Sequence, residues 1–387
     1  MRTYTSRSRV DAAMNLQQPD RVPLMCQFSI GSMMTLLQPN PVDFWYDKHV
    51  FAQGLVQLCK MFRFDGILVS LHGHSDSWKK ELESCESLEE GVFKLTFPNR
   101  TEVHSRKDLP LVAFNHQKEL TLMDEISLDD AIPGVINYIP VSHNLYFKLD
   151  QEALFDVFDL VNDEVGDSLS IHGEITSPFD YFLDMFGYEN GLVSLILEPE
   201  RCKMILDKFT NGIRDLAVKM CEKPIDAIKI SSPFAGMGFI SSDQYTEFVL
   251  PYERRIVEAI RAKGVHVYLH TCGSIGDRLE IMRDSNASGL ECLDPVPVGN
   301  VDLENAFDRI GNDLFIKGNI DSVHTLLYGD DEKVVSDVRR IIEIGKSKGK
   351  GFILSTACSI APMVTKERLL LLSQLIDKYG IYNQLKT

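Results

Sequence analysis

The chain has 387 residues, 44% of them hydrophobic, which is enough to bury one large core or two smaller ones. Its formal net charge is -16 and its pI is near 5.1. A duplex-binding surface needs clustered Lys and Arg, so this acidic balance disfavours nucleic acid as a partner. No apolar run approaches the ~18 residues of a membrane span, and residues 1–8 lack the apolar segment of a signal peptide. We therefore expect a cytoplasmic protein with no membrane partner.

Eight predicted strands alternate with helices along the chain. The strands are apolar runs at residues 21–28, 65–70, 168–175, 226–231, 265–273, 289–294, 314–321 and 351–358. Helical patterns follow them at residues 41–63, 199–222, 242–263, 277–285, 302–310, 331–348 and 366–379. This alternation predicts an α/β fold, the (β/α)8 TIM barrel, formed by residues 1–387 as a single domain. An open doubly wound sheet is the alternative, although no Gly-x-Gly-x-x-Gly follows the first strand.

Residues 75–165 interrupt the alternation directly after the second predicted strand. Residues 80–86 and 91–97 could pair as a hairpin, and residues 151–163 have the pattern of a helix. We interpret the segment as a long insertion that covers one end of the barrel. Two interpretations stay open: the insertion is a lid over a site, or it has no role beyond packing against the main domain.

The fifth and eighth predicted strands both end in soft metal ligands. His270 and Cys272 are two residues apart, so a strand presents both on one face, and Cys358 ends the eighth strand. In a barrel of parallel strands these ends face the same mouth, so the three side chains can meet there. One imidazole and two thiols predict a roughly tetrahedral zinc site. The alternative is a buried core cysteine beside a hydrogen-bonded histidine.

Three protein ligands leave one position on the metal open, as in catalytic zinc sites. Two thiolates make zinc a poor generator of hydroxide, but they suit it to bind a thiol, whose pKa it lowers. The predicted chemistry is therefore alkyl transfer to sulfur. Glu291 is the first candidate for a fourth metal ligand and Glu174 the second. For each of them a hydrogen-bonded carboxylate at the mouth is the favoured alternative.

Further polar side chains near the predicted strand ends are candidate substrate contacts, namely His72, Glu174 and Asn319. His72 and His74 form a His-x-His pair, for which a second metal, a substrate contact and a plain loop position all stay open. Cys292 alternates with Glu291 along its strand, so we expect its thiol to face away from the site and to pack in the core.

Four segments carry a resemblance to a known family, namely Pro19-Asp20-Arg21-Val22-Pro23, Gly173 to Phe179, His270-Thr271-Cys272-Gly273 and Cys358-Ser359-Ile360-Ala361-Pro362. Together they resemble the uroporphyrinogen decarboxylase superfamily, over about residues 8–383. That superfamily adopts a (β/α)8 barrel. The chain is most similar to its zinc-containing branch, the corrinoid-dependent methylcobamide:coenzyme M methyltransferases, which bind zinc through His-x-Cys and a distant Cys.

The resemblance implies that His270, Cys272 and Cys358 bind Zn²⁺. It also implies a methyl donor, a methylated corrinoid (methylcobalamin type) supplied by a corrinoid-binding partner protein, and a small-molecule thiol or related methyl acceptor. Cobalamin-independent methionine synthase has a similar set of zinc ligands, with an acidic ligand about one strand after its His-x-Cys. This similarity supports Glu291 as a candidate fourth zinc ligand.

Two other functions stay open beside methyl transfer. True decarboxylases of the superfamily carry an arginine-rich segment after the first strand, which holds the propionates of a porphyrinogen. Residues 25–34 contain no arginine, so porphyrinogen carboxylates would lack cationic partners and decarboxylation is disfavoured. The third hypothesis is a non-catalytic barrel in which the zinc site is structural and closed.

Overall fold

The computed structural model describes residues 4–70, 75–115, 132, 134–140 and 145–382. The predicted substrate contact His72 and its neighbour His74 lie outside the described residues. The strands are β1 Gly66–Val69, β2 Ser84–Glu89, β3 Val92–Phe97, β4 Arg100–Ser105, β5 Leu111–Phe114, β6 Tyr138–Pro140, β7 Tyr146–Lys148, β8 Ser170–Thr176, β9 Ala227–Ser231, β10 His266–Thr271, β11 Gly289–Cys292, β12 Phe315–Ile320 and β13 Phe352–Thr356.

The helices are α1 Ser6–Met14, α2 Ile30–Leu37, α3 Pro41–Tyr46, α4 Lys48–Phe62, α5 Trp78–Glu81, α6 Asp156–Val165, α7 Pro178–Phe186, α8 Tyr188–Leu197, α9 Pro199–Met220, α10 Ser242–Phe248, α11 Leu250–Arg261, α12 Leu279–Arg283, α13 Leu303–Ile310, α14 Asp331–Ser347 and α15 Lys366–Tyr379. Ser177, Ser241 and Asp302 cap α7, α10 and α13 through their side-chain oxygens, which explains why these helices begin where they do.

Seven strands form a parallel sheet in the order β1-β8-β9-β10-β11-β12-β13. They lie where the second to eighth strands are predicted. Nearly every residue of β8 to β13 is buried, because helices cover the sheet on its outside. The carboxyl ends of β10 and β13, and with them the predicted metal ligands, lie at the same edge of this sheet.

The first predicted strand, residues 21–28, is not a regular strand. Leu24 makes a single parallel bridge to Leu354 of β13. Pro23 has no N–H to donate, and the Leu24 N–H donates to the side chain of Asp65 at 2.8 Å instead of to a neighbouring strand. The expected (β/α)8 barrel is therefore present as a curled, seven-stranded parallel sheet of a mixed α/β fold, and a closed ring of eight strands is not formed by the described residues.

Helix α1 covers the amino ends of the strands. Its apolar residues pack in one buried cluster with interior side chains of five parallel strands, namely Val10, Ala13 and Met14 with Leu68, Ala227, Tyr268, Phe315 and Ile353. Side chains of β1, β9, β10, β12 and β13 can meet in one cluster only because the sheet curls. The inner side of the sheet is thus filled at this end, which leaves the opposite, carboxyl end for a site.

The segment after β1 carries sheets of its own. β2, β3, β4 and β5 form an antiparallel sheet, in which the predicted hairpin corresponds to β2 and β3. Tyr46 of α3 ties this sheet to the main part of the protein, because its hydroxyl donates to the buried carboxylate of Glu102 on β4 at 2.7 Å. The lid function of residues 75–165 stays a prediction. Within the described part of the chain, no helix combines the length and apolar character that crossing a bilayer requires.

A buried carboxylate holds the amino-terminal segment against the sheet. The side chain of Asp65 is 0% exposed and accepts from Arg9 Nη1 at 2.7 Å and from Arg21 Nη1 at 2.9 Å. It also accepts the Leu24 N–H, so each of its oxygens has partners. Such a carboxylate is stable inside a protein only while its cationic partners stay in place.

We expect Asp65→Asn to lower the free energy of unfolding by about 3–5 kcal/mol, because the buried Arg9 then keeps only its pair with Asp20 and the half-buried Arg21 loses its carboxylate partner. Chemical denaturation measures the effect. The matched control is Asp377→Asn, which breaks the exposed Asp377–Arg63 pair and should cost at most about 1 kcal/mol. Equal losses for the two variants would contradict the assignment of Asp65 as the central anchor.

Candidate metal centre

Three soft ligands meet at the carboxyl end of the parallel sheet. The Sγ atoms of Cys272 and Cys358 are 3.7 Å apart, and His270 Nε2 lies 3.2 Å from Cys272 Sγ. All three ligand atoms lie within 4.8 Å of one another. His270 is buried, whereas Cys272 and Cys358 are partly exposed, so the group faces the mouth of the sheet. The structure thus brings together the three residues that the sequence predicts as ligands.

The spacing of these atoms fits a zinc ion. In a tetrahedral site with Zn–S near 2.3 Å and Zn–N near 2.0 Å, two sulfurs lie ~3.8 Å apart and a sulfur and a nitrogen ~3.5 Å apart. The observed separations of 3.7 Å and 3.2 Å are close to these values. Two thiols and one imidazole are also the donor types that zinc prefers.

Glu291 orients the imidazole from the other side. His270, Glu291 and Lys317 are paired residues on β10, β11 and β12, so their side chains point to the same face. His270 Nδ1 lies 2.9 Å from Glu291 Oε2, and Lys317 Nζ donates to Glu291 Oε1. Glu291 therefore contacts the nitrogen that faces away from the thiols. This geometry supports the alternative role, a hydrogen-bonded carboxylate, more than that of a fourth ligand.

A second ion pair, between a buried lysine and a half-buried glutamate, lies on the neighbouring strands. Glu174 of β8 is paired in register with Lys229 of β9, and Glu174 Oε1 lies 2.8 Å from Lys229 Nζ. The same ammonium donates to Gln27 Oε1 at 2.7 Å and lies 3.7 Å from Glu291. Glu174 is thus a partner of Lys229, and its roles as substrate contact or metal ligand stay predictions.

The charges around the site set which groups are ionised. Burial and the charge of Lys229 lower the pKa of His270, but hydrogen bonds with Cys358 and Glu291 outweigh them and raise it to about 9. Burial raises the pKa of Glu291, but the charges of Lys317 and Lys229 outweigh it and hold that pKa well below its usual range. Glu291 is therefore a carboxylate, the form that accepts the His270 Nδ1 proton. Because the pKa of His270 is raised, the Nε2 proton must leave before this nitrogen can bind a metal.

The comparison with known families agrees with this geometry. The family model described as uroporphyrinogen decarboxylase (URO-D) matches residues 140–379, which is more than half of the chain. The chain belongs to the uroporphyrinogen decarboxylase family. The match includes all three predicted zinc ligands and every parallel strand except β1.

Several relatives of the chain within this family are methyltransferases. A methylcobamide:CoM methyltransferase from Methanosarcina acetivorans is 23% identical over 376 residues, which is 95% of this chain and 96% of the relative. A methylated-thiol–coenzyme M methyltransferase from Methanosarcina mazei is 28% identical over 251 residues, 64% of this chain and 59% of the relative. A uroporphyrinogen decarboxylase from Chlorobaculum parvum is 29% identical over 197 residues, 49% of this chain and 54% of the relative.

Among solved structures, a methyltransferase from Methanosarcina mazei overlays with a TM-score of 0.70 at 18% identity, covering 97% of this chain and 99% of that one. The overlay shows that the two chains share a fold. The predicted resemblance to methyltransferase enzymes of the uroporphyrinogen decarboxylase family is confirmed by these comparisons.

The structure gives Asn319 and Cys292 partners that the sequence does not reveal. The Asn319 amide donates to the carbonyl of Leu293 at 3.0 Å, so it anchors the turn after β11, and its contact with a substrate stays a prediction. Cys292 is buried as expected, but its thiol belongs to a group with Cys272 and Asp294 whose ligand atoms lie within 4.8 Å of one another. The expectation that the Cys292 thiol faces away from the site is wrong. Its backbone φ is +83°, so the alternation of a strand does not continue through it.

Two buried carboxyls near the site were not predicted from the sequence. Glu253 of α11 accepts from the hydroxyls of Ser232 and of Tyr245, and the Ser232 N–H donates to the His270 carbonyl at 2.8 Å. Burial raises the pKa of Glu253 to about 7 and that of Asp180, at the start of α7, to about 8. A glutamate on the buried face of an amphipathic helix is the signal that could have revealed Glu253.

Stability should depend on pH through Glu253. Its pKa rises from 4.5 in the unfolded chain to about 7 in the folded one, so the folded state holds more protons between these values. The free energy of unfolding should therefore fall as pH rises from 4.5 to about 7, by up to about 1.4 kcal/mol per pH unit from this group.

Denaturation of wild type and of Glu253→Gln across this pH range measures the contribution. The advantage of wild type over Glu253→Gln should shrink as pH rises, whereas Glu258→Gln, an exposed position on the same helix, should track wild type at every pH. A difference between wild type and Glu253→Gln that is constant from pH 4.5 to 7 would show that Glu253 does not bind the proton.

Proposed function

We propose that the chain is a zinc-dependent methyltransferase. It moves a methyl group between a methylated corrinoid, carried by a partner protein, and a thiol held at the zinc ion. The observation that carries this proposal is the convergence of His270 Nε2, Cys272 Sγ and Cys358 Sγ within 4.8 Å. The names of the methyltransferase relatives support both the corrinoid donor and a thiol acceptor of the coenzyme M type.

His270, Cys272 and Cys358 are the residues that would hold the zinc ion. Bound there, zinc supplies one function: it lowers the pKa of a thiol in its remaining position, so that the sulfur is a nucleophilic thiolate near neutral pH. The chain contributes the ligand geometry, because Glu291 fixes the imidazole with Nε2 towards the two thiols. The contact between Glu291 and His270 is already formed in the folded sheet, so the reaction needs no reorganisation of the imidazole.

Lys229 balances the charge that a thiolate substrate brings. Two thiolate ligands neutralise a divalent ion, so an incoming thiolate adds one negative charge to a site with low access to water. Burial lowers the pKa of Lys229, but the charges of Glu174 and Glu291 outweigh it and raise that pKa, so the side chain is an ammonium. Its positive charge lies close enough to Cys358 to interact with it. Lys229 thus stabilises a negative sulfur at the mouth of the sheet.

The reaction needs an aligned donor more than it needs an acid or a base. The thiol sulfur forms a bond to the methyl carbon while the bond from that carbon to the donor breaks, and the thiol proton leaves to solvent. Alignment of donor, methyl carbon and sulfur is therefore the main task of the protein. The partly exposed Cys272 and Cys358 place this chemistry where a partner protein can reach it.

The full barrel and the lid belong to the same proposal. Residues 23–28 would take the place of the first strand, since Met25 N–H donates to the Leu354 carbonyl at 2.9 Å and Asp65 N–H to the Leu24 carbonyl at 2.7 Å. One domain then contains the whole chain, with the antiparallel sheet β2–β5 as its insertion. His72, Glu174 and Asn319 remain the proposed substrate contacts.

The decarboxylase alternative has less support. Relatives named uroporphyrinogen decarboxylase match 49% to 55% of the chain, whereas the methyltransferase from Methanosarcina acetivorans matches 95%. Residues 25–34 contain no arginine. The two arginines nearest in sequence, Arg9 and Arg21, are bound by Asp65 and Asp20, so they are not available for carboxylates of a porphyrinogen.

The zinc-loaded chain should transfer the methyl group of methylcobalamin to coenzyme M or another small thiol. His270→Ala and Cys358→Ser should lower the rate at least ~100-fold, because the loss of a ligand removes an ion that contributes several kcal/mol of activation. Cobalamin absorbance and mass analysis of the thiol measure the transfer. Cys85→Ser, at an exposed cysteine far from the ligands in sequence, serves as the control and should match wild type.

The same assay decides against the proposal in two ways. A zinc-loaded wild type that methylates none of the thiols would refute methyl transfer to sulfur. Full activity of both His270→Ala and Cys358→Ser would show that the reaction does not use this centre. Turnover of uroporphyrinogen by wild type would favour the decarboxylase alternative instead.

The role of Glu291 gives a separate prediction. Glu291→Gln should weaken zinc binding by about 10- to 100-fold, since the loss of the negative charge behind His270 lowers the basicity of Nε2. Competition with a coloured chelator measures the affinity. Glu102→Gln is the matched control, because Glu102 is also a buried carboxylate paired with a cation and a histidine, but it lies on β4 of the antiparallel sheet, and the change should alter zinc affinity much less. Equal effects of the two variants would contradict the relay from Glu291 to His270.

A further inference from the structure

A second group of soft ligands adjoins the first. Cys272 Sγ, Cys292 Sγ and a carboxylate oxygen of Asp294 lie within 4.8 Å of one another. We propose that these three residues form a second binding set for a thiophilic divalent ion such as Zn²⁺ or Cd²⁺, and that the Cys272 thiolate bridges it to the ion held by His270 and Cys358. The proposal goes beyond methyl transfer and does not depend on it.

The backbone after β11 is shaped to bring Cys292 to this place. Cys292 and Leu293 have φ values of +83° and +54°, which residues other than glycine seldom adopt. This turn points the Cys292 thiol towards Asp294, with Sγ 3.1 Å from Oδ2. The buried Asn319 side chain donates to the Leu293 carbonyl at 3.0 Å and holds the turn. A cysteine that only filled the core would not need such a turn.

Asp294 is held in position by the loop that carries Cys272. The Gly273 N–H donates to Asp294 Oδ2 at 2.7 Å, which orients the carboxylate next to the two thiols. A Cβ atom at Gly299 would overlap the carbonyl oxygens of both Asp294 and Gly273, so only glycine allows the two loops to lie this close. The three ligands thus stand on a rigid support, as the ligands of a metal site must.

The charges balance for two ions. Three thiolates, of Cys272, Cys292 and Cys358, together with the Asp294 carboxylate carry four negative charges, and His270 binds as a neutral imidazole. Two divalent ions carry four positive charges, so the filled pair of sites is neutral, which a buried position requires. The second ion takes the place of the proton between Cys292 and Asp294, and that proton leaves to solvent.

A bridging thiolate would also tune the first ion. Cys272 would donate electron density to two ions instead of one, so the ion at His270 and Cys358 would keep more positive charge for an incoming ligand. The structure therefore assigns Cys292 and Asp294 a metal-binding role that a single three-ligand site does not need.

Cadmium titration of the metal-free full-length chain tests the inference. Thiolate-to-metal absorbance and metal analysis after gel filtration count the ions, with all variants in a Cys85→Ser background because Cys85 is exposed. We expect two equivalents in the parent chain and one in Cys292→Ser. Cys358→Ser should retain an ion at the second set. Asp294→Asn should weaken the second equivalent at least ~10-fold and leave the first unchanged.

The outcomes separate the two sites. One equivalent in the parent chain, or two equivalents in both Cys292→Ser and Cys292→Ala, would overturn the second site whatever the methyl transfer assay gives. Thermal denaturation of each apo variant checks folding, and the conservative Asp294→Asn change keeps the test valid if a Cys292 variant does not fold. If the parent chain binds two equivalents of cadmium but the zinc-loaded chain methylates no thiol, the second site is supported and the proposed function is not.

Discussion

The ionic contact of Glu291 with Lys317 and His270 is the constraint on which the site depends. A carboxylate cannot stay ionised inside a sheet unless its charge is matched, and here an ammonium and an imidazole meet it on the same face of three adjacent strands. Because the partners are in register, the imidazole has one orientation. His270, the candidate metal ligand, is thus positioned by backbone pairing rather than by a loop.

The inner side of the sheet therefore has two layers along the strand direction, an apolar layer at the amino end and a charged layer nearer the carboxyl end. At the amino end its inward side chains are apolar and pack against α1, as in an ordinary barrel core. Two residues further along β9 and β12, Lys229 and Lys317 follow Ala227 and Phe315, and they pair with Glu174 of β8 and Glu291 of β11. The two lysines and two glutamates cancel in charge, so this layer can be buried and can still present polar groups to the mouth.

The sequence was sufficient to predict the parallel strands and the three converging ligands, because alternation with helices places the ends of β10 and β13 at one edge. It could not reveal Lys229 and Lys317 as interior groups, since a lysine in a strand normally indicates a solvent-facing side. The direction of the Cys292 thiol was missed because positive φ at Cys292 and Leu293 ends the strand at Cys292, two residues before the predicted end. The irregular first strand depends on Asp65, whose side chain takes the Leu24 N–H from a position 41 residues further along the chain.

The packing of α1 against the amino ends of the strands separates the part of the sheet that carries stability from the part that carries the candidate site. Val10, Ala13 and Met14 pack with side chains of five strands at the amino end, whereas His270, Cys272 and Cys358 meet at the carboxyl end. Substitutions among the three soft ligands therefore leave the apolar cluster under α1 intact, so the carboxyl end can change its chemistry while the fold is kept.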